Sequence, residues 1–457
     1  MFETDMLEAE SGLKEVINLF DECDGLNIKH KCKVAGNKFV NTVIINGQAK
    51  CYGNLAEYKN ETEEKRLKIR YAKLSLYKAI SGVTGKSMPW GALTGIRPTK
   101  LAYTQLEETG EFKDFFVDTM KVSEEKTKLV ADILETQTGV YDKDSKDTEL
   151  FVSIPFCPTR CEYCSFISVE VDKIKDILPE YIDALIKELD AAKPYIKNLK
   201  SVYIGGGTPV SIGNDNLERV LKAVRSVIGD EKVEYTVEAG RPDAITEENL
   251  DLLKRYGVTR ICVNPQTFND KTLEIIGRKH TAKEVIDKYE LAKGKFDINM
   301  DLIAGLTGES FADFKYSLDK AIELSPEDIT VHTLALKAGS KLKEKTERLD
   351  SGDVGEMVDY AHKTLKGKGY KPYYLYRQKY MKGNLENTGY CKDGKACVYN
   401  IAVMEETSNN IAVGANAITK RVFKDENRIE RYANPKDTAT YIAKIDKIIE
   451  DKAKLFE

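Results

Sequence analysis

The sequence predicts an α/β protein: a partial (β/α)6 barrel with an α+β domain before it and an α+β cover domain after it. Three observations predict this. From Glu149 onward, six apolar, β-branched runs alternate with helical segments. Up to about Ser145 the chain instead reads as short strands and one long helix, and after about Gly339 the alternation stops. The highly polar run Asp142-Lys143-Asp144-Ser145-Lys146-Asp147 reads as a linker. The divisions expected are 1–145, 146–340 and 341–457, with the last covering the barrel mouth.

In the first part, residues 30–52 carry apolar runs at Phe39-Val40 and Val43-Ile44-Ile45. Breaks fall at Gly36-Asn37 and Asn46-Gly47, and the second is a strong hairpin signal. Residues 61–80 form an amphipathic helix, with Leu67, Ile69, Ala72, Leu74, Leu76 and Ala79 among its apolar positions. A Gly-rich loop runs from Gly82 through Gly95 to Pro98. Barrel strands are predicted at 150–154, 201–204, 234–238, 260–263, 298–303 and 329–334. Helices are predicted between them at 179–196, 214–228, 246–256, 271–276, 282–292 and 310–324. Strands joined by helical crossovers run parallel, and such a curled sheet carries its chemistry at the strand carboxyl ends. The last part has helices at 354–366 and 437–455 around an irregular middle, with Tyr373-Tyr374-Leu375-Tyr376 and 410–420.

Composition narrows the function. Lys and Arg total 70 against 74 Asp and Glu in 457 residues, a balance that argues against wholesale nucleic-acid binding. The apolar stretches fall far short of the roughly 18–20 residues of a membrane span. The acidic start, Met1-Phe2-Glu3-Thr4-Asp5, lacks the basic and apolar regions of a signal peptide, so a cytoplasmic location is expected. The odd count of nine cysteines argues against a disulfide framework. Six are scattered, but Cys157, Cys161 and Cys164 fall within eight residues, just past the first barrel strand.

Thiolates suit soft metals, and a short loop with three of them can grip three irons of a cubane cluster. The fourth iron then lacks a protein ligand and is open to the amino and carboxylate groups of S-adenosylmethionine. A zinc site normally uses four closing ligands in two pairs. Cys391 and Cys397 are spaced more loosely than a usual zinc knuckle. Zinc, or three buried thiols, are the rival readings. The next strand ends in Gly205-Gly206-Gly207-Thr208-Pro209, whose bare N–H groups can approach a polar ligand closely; the plain alternative is a tight βα turn. Glu238 closes the third strand and can accept from an ammonium or a ribose. Gln266 follows the fourth strand, and Asp301 lies among apolar neighbours in the fifth, where an unpaired carboxylate is costly. Arg278 is therefore a structural partner for Asp301 as readily as a ligand-binding group. His332 reads as a hydrogen-bonded core residue whose strand faces the candidate site, and Cys262 as a buried thiol. Gly85-Lys86-Ser87 is no phosphate loop, because Ile80 stands where the required Gly belongs.

C-x3-C-x2-C after a strand, followed by Gly-Gly-Gly-Thr-Pro at the end of the next, resembles the radical S-adenosylmethionine (SAM) superfamily. Within it the sequence is similar to the oxygen-independent coproporphyrinogen III oxidase family, over about 149–421, about 60% of the chain. Trp90-Gly91-Ala92-Leu93-Thr94-Gly95-Ile96-Arg97-Pro98-Thr99-Lys100 resembles the HemZ-type branch. The resemblance implies a radical SAM barrel, a [4Fe–4S] cluster on Cys157, Cys161 and Cys164, and S-adenosyl-L-methionine in one copy or two. It implies that Gly206, Gly207 and Thr208 hold the methionine end, that Glu238 binds the cofactor, and that Gln266, Arg278 and Asp301 bind a second copy. Phe151 and Tyr163 match aromatic or near-aromatic positions that contact the two cofactors, and Ala335 and Ile411 match further pocket-wall positions.

The implied activity is that of an oxidoreductase in haem biosynthesis. A 5′-deoxyadenosyl radical takes hydrogen from a porphyrinogen propionate, and loss of CO2 and an electron leaves a vinyl group. The implied partners are a tetrapyrrole substrate and an unidentified electron donor, with Arg377, Lys379 and Arg421 as candidate carboxylate partners. Two departures keep rivals in view. Oxidases of the family carry a fourth Cys two residues after the third, where this chain has Phe166. The haem-chaperone branch shares that Phe but carries a His-Asn-x-x-Tyr-Trp element, where this chain has Cys397-Val398-Tyr399-Asn400-Ile401. A haem-binding chaperone and a radical SAM tetrapyrrole methyltransferase are the alternatives.

Overall fold

The computed structural model describes every residue except 21–22, 24, 95–96, 165–168, 337–339, 346–352, 379–380, 425 and 427. The chain divides into two compact units. Unit 1 comprises Met1–Ala131 and Tyr376–Glu386, and unit 2 comprises Asp132–Leu375 and Asn387–Glu457. No helix among the described residues is long and apolar enough to cross a membrane.

Unit 1 is built on a four-stranded sheet of β1 (Phe2–Thr4), β2 (Ile28–Ala35), β3 (Lys38–Ile45) and β4 (Gln48–Leu55). Asn46 and Gly47 join β3 to β4 with φ of 50° and 85°, the paired positive values that a type I′ hairpin requires. Alternate residues of β3 (Phe39, Asn41, Val43 and Ile45) are buried on the face that packs against a helix. Helices α1 (Glu10–Ile17), α2 (Glu61–Thr84) and α3 (Pro98–Thr109) follow, and α4 (Glu124–Thr136) begins in this unit. The helix expected at 61–80 runs four residues further and stops at Gly85, whose φ of 71° provides the left-handed cap. Between Tyr71 and Ile80 it is buried almost all round, not along one stripe.

Trp90, Ala92 and Leu93 of the Trp90 motif belong to this unit's core, and Gly95 and Ile96 lie outside the described residues. The fully buried Trp90 donates Nε1–H to Glu386 Oε2 at 2.6 Å, and Lys126 Nζ donates to Glu386 Oε1 at 2.7 Å. The Arg377 guanidinium lies 5.0 Å from the Trp90 ring centre and donates to the carbonyls of Leu93 and Asn384. Segment 376–386 thus completes a core begun nearly three hundred residues earlier.

Unit 2 is dominated by an eleven-stranded sheet. Its central strands are β5 (Thr148–Ser153), β8 (Leu199–Gly205), β9 (Glu234–Gly240), β10 (Arg260–Val263), β11 (Asp297–Ala304) and β12 (Asp328–Thr333); β6 (Phe156–Cys157) and β7 (Val169–Glu170) form a separate two-residue ladder. The central six are parallel and lie in sequence order, each within about two residues of its expected position. The crossovers are α5 (Leu178–Ala192), α6 (Asn214–Ile228), α7 (Glu247–Arg255), α8 (Asp270–Ile275), α9 (Ala282–Ala292) and α10 (Phe311–Leu324). Capping boxes at Thr246, Thr281 and Ser310 start three of them. The sheet stays open, with β13 (Lys371–Tyr376) and β17 (Arg428–Ala433) as its edges, so the barrel is partial.

The C-terminal third does not stand apart from this sheet. β14 (Asn387–Cys391) pairs antiparallel with β12, and β15 (Asn409–Val413) pairs parallel with β5, continuing through β16 (Ile418–Phe423) into β17. The short α11 (Lys341–Lys345) and then α12 (Val354–Gly367) precede β13, and α13 (Val398–Glu405) precedes β15. The helix expected at 437–455 is two, α14 (Thr438–Ala443) and α15 (Ile445–Phe456), interrupted at Lys444.

Parallel strands covered on both faces read as continuous apolar runs, and these do not. Leu150, Val152, Val202, Ile204, Tyr235, Val237, Met300 and Leu302 are fully buried on one face. The opposite parity carries Phe151, Tyr203, Glu238, Asn299, Asp301 and His332, which stay partly open. One face packs on helices; the other carries these polar and aromatic side chains.

Candidate functional site

β5 leads directly into the cysteine loop. Ile154 N donates to Gly205 O and Thr208 N to Phe156 O, each at 2.7 Å, which ties this strand exit to the glycine loop after β8. A Cβ on Gly207 would lie 2.6 Å from Phe156 O and 2.7 Å from Ile154 O, so only glycine fits there. On Gly205 it would lie 2.7 Å from Glu238 Oε2. Thr208 Oγ1 reaches Cys157 Sγ at 3.5 Å.

The far end of the loop is docked on the carboxyl ends of later strands. Glu162 N donates to Ile276 O at 3.1 Å, and Leu342 N donates to Glu162 O at 2.9 Å. Tyr163 packs on Leu273, Ile276, Ile303, Leu306 and Leu334. None of the nine cysteines forms a disulfide. Among the described residues no three His, Cys, Asp or Glu side chains are already gathered at metal-binding spacing. The three thiols share one short, anchored segment.

Two guanidinium groups flank the buried Cys161. The Tyr163 hydroxyl and the Cys161 thiol lie close enough to Arg278 to favour its charge, and its Nη1 donates to Asn264 O at 2.6 Å. Arg241 Nη1 lies 3.7 Å from Cys161 Sγ. Burial pushes the Tyr163 hydroxyl well above its ordinary range, with Arg278 offsetting part of that rise.

Glu238 accepts from Tyr203 OH at 2.7 Å and from Gly206 N at 3.1 Å. Burial nevertheless pushes its carboxyl up to about 7, and the nearby Asp301 charge adds to the rise. Asp301 is the opposite case. Burial works against its charge too, but His332, Asn299 and Arg278 outweigh it and hold the carboxyl below its ordinary value. Asn299 Nδ2 donates to Oδ1 and Asn264 Nδ2 to Oδ2, both at 2.8 Å, and His332 Nε2 stands 3.6 Å from Oδ2. Arg278 thus acts on Asp301 through space, while its hydrogen bonds go elsewhere. The carboxyls of Glu238 on β9 and Asp301 on β11, with β10 between them, are thus pushed in opposite directions, a common arrangement where polar ligands bind.

Gln266 is buried with a φ of 66°, and its backbone is clamped to β11 by Gln266 N to Asp301 O at 2.8 Å and Ile303 N to Gln266 O at 3.0 Å. That left-handed conformation costs a non-glycine residue about 1 kcal/mol or more and persists only where the surroundings enforce it. Phe151 stacks with Tyr203 and Tyr399 at centroid distances of 6.3 and 6.2 Å, and those two rings stack on each other at 4.6 Å. Ala335 is buried just past β12. Ile411 is in register with Leu150 and so shares the helix-facing side of the sheet, whereas Ala412 aligns with Phe151.

α13 lies at the other end of these strands. Glu234, the first residue of β9, accepts from Val398 N at 3.0 Å and Tyr399 N at 3.2 Å. Glu149, near the start of β5, accepts from Ser408 Oγ at 3.1 Å. The 397–401 stretch therefore plugs the amino end of the barrel, and within it Tyr399 reaches the aromatic stack.

Sequence reasoning missed Tyr203, Arg241, Asn264, Asn299 and Tyr399. Asn299 was within reach, since it lies two residues before Asp301 and so on the same face. The proposed propionate partners are otherwise engaged. Arg377 is buried against Trp90 in unit 1, where burial lowers it to about 9. Arg421 donates to Leu455 O at 2.6 Å and stacks on Phe423. Lys379 and Phe166 lie outside the described residues.

The radical SAM superfamily model matches residues 151–321. The oxygen-independent coproporphyrinogen-III oxidase-like protein HemZ of Bacillus subtilis (strain 168) is 37% identical over 406 residues, covering 85% of this chain and 80% of that protein. The chain belongs to the HemZ-type family of radical SAM proteins. The heme chaperone HemW of Bacillus subtilis is 34% identical over 193 residues, 41% of this HemZ-type chain and 50% of HemW. The solved structure of coproporphyrinogen III oxidase (HemN) from Escherichia coli shares the fold, with a TM-score of 0.55 at 20% identity, covering 68% of this chain and 71% of that one.

The HemZ-type family's cofactors are a [4Fe–4S] cluster and S-adenosylmethionine. The residues present fit both. Three thiols on one anchored loop, with cations beside Cys161, match the donor set of a cubane cluster. The adjoining cradle admits no Cβ at Gly207.

Proposed function

We propose that this HemZ-type protein oxidatively decarboxylates propionate side chains of a porphyrinogen to vinyl groups. In this reading Cys157, Cys161 and Cys164 ligate the cluster. Gly206, Gly207, Thr208 and Glu238 hold S-adenosylmethionine, and Gln266, Arg278 and Asp301 receive a second copy. Phe151, Tyr163 and Ala335 are the weaker members of the set, and Ile411, which lies on the helix-facing side of the sheet, is not among them. When bound, the cluster and cofactor supply the one-electron chemistry that begins hydrogen abstraction.

The observation that supports this reading is the polar and aromatic inner face running from Phe151 and Tyr203 through Glu238 to Asp301 and His332, with the cysteine loop at its rim. The chain's own part follows from that face. Asp301, held charged, suits an ammonium group, and Glu238, titrating near 7, can accept from or donate to a ligand at neutral pH. The Tyr399 stack and α13 close the amino end of the barrel, which restricts water to the opposite mouth.

The test is anaerobic reconstitution with iron and sulfide, then incubation with S-adenosylmethionine, a low-potential reductant and coproporphyrinogen III. Decarboxylation predicts 5′-deoxyadenosine together with harderoporphyrinogen and protoporphyrinogen IX. Tight haem binding without cofactor cleavage would assign the chain to the chaperones, and a methylated tetrapyrrole would make it a methyltransferase.

A further inference from the structure

We infer that Arg241 is a positioning residue that fixes Cys161 and raises the reduction potential of the cluster held there; this rests on the reading of Cys161 as a cluster ligand. Arg241 follows β9, the strand that supplies Glu238, and its backbone is pinned by Arg241 N to Ala239 O at 2.6 Å and Ala244 N to Arg241 O at 2.9 Å. It is 3% exposed. Nε and Nη2 each donate to Asp243 at 2.8 Å, a bidentate pair that locks the guanidinium plane. His280, equally buried, stands behind Asp243 at 3.8 Å.

That pair alone would serve a structural role, yet it leaves one edge of the guanidinium unspent. Nη1 is aimed at the loop between the first two cysteines: Thr159 Oγ1 at 3.0 Å, Thr159 O at 3.4 Å and Cys161 Sγ at 3.7 Å. A purely structural ion pair has no need of a sulfur. Donors and positive charge beside a coordinating sulfur stabilise the more negative, reduced cluster, and so raise its potential. The fork geometry of arginine makes both contacts from one atom while the other two nitrogens stay on Asp243; lysine cannot.

The experiment compares the reconstituted wild-type chain with Arg241→Gln and Arg241→Lys, each checked for folding by circular dichroism. Iron and sulfide per chain are counted, and the midpoint potential is read by electron paramagnetic resonance during dithionite titration. Arg241→Gln is expected to disfavour the reduced cluster about tenfold, which for one electron is about 59 mV more negative. Arg241→Lys should restore part of that shift, because it keeps the charge. Pulsed resonance on chain carrying 15N-arginine should show a weak nitrogen coupling to the reduced cluster in the wild type, and the part of it lost in Arg241→Gln separates Arg241 from Arg278. An unchanged potential in both variants, or no arginine coupling in the wild type, overturns the proposal. A wild-type chain that takes up no iron overturns instead the cluster reading beneath it.

Discussion

Glu238 carries its consequence in its own titration. The folded carboxyl titrates near 7, whereas the unfolded one titrates near 4.3. The folded state therefore binds the proton more tightly. Stability is undiminished by this group below about pH 4.3 and declines as pH rises toward 7, by up to about 3 kcal/mol. Glu238→Gln should leave urea stability unchanged at pH 4 and raise it at pH 8 by about 1–3 kcal/mol; a variant with the wild-type pH slope would contradict this. Gly207 makes a complementary case. A methyl there meets two backbone carbonyls, so Gly207→Ala should cost about 1–3 kcal/mol and abolish retention of S-adenosylmethionine in equilibrium dialysis. Both residues were legible in the sequence, because a strand-end Glu and a triple Gly each carry a local signal. Arg241 and Tyr203 were not, since an Arg after a strand and a Tyr within one look ordinary until the register is known.

At the level of elements, the six central strands and their crossovers could be read because local periodicity and capping residues agree with the final pairing. What failed was any feature set by distant partners. β15 is a short apolar run whose place beside β5 depends on a pairing across some 260 residues. α13 is a second example: its buried face is chosen by the barrel end it plugs. Its worth can be measured. Tyr399→Ala removes a ring stacked at 4.6 Å on Tyr203 and should cost about 3–5 kcal/mol in urea unfolding, with loss of near-ultraviolet circular dichroism. Tyr399→Phe keeps the stack and should stay within about 1 kcal/mol of wild type.

Across the whole molecule, the least legible feature was the division of the chain. The polar run at 142–147 looked like a boundary, but it is an exposed turn inside unit 2, and unit 1 reclaims residues 376–386. The reason is electrostatic as well as steric. Burial opposes the Glu386 charge, but Lys126, Trp90 and Arg377 hold its carboxyl below the ordinary range. Glu386→Gln should remove the buried carboxylate that Lys126 and Trp90 share and cost about 3–5 kcal/mol in thermal unfolding. Adding Lys126→Met should recover part of that loss; no recovery would refute the pairing.

The same contact sets a clock on biosynthesis. Glu386 comes 260 residues after Lys126, which at about 5–20 residues per second is roughly 13–50 s of translation. For that interval the nascent N-terminal unit holds a lysine and an indole N–H that have not yet met their acceptor. Its core closes only after most of the barrel has left the ribosome, so the first part of the chain to be made is among the last to finish folding.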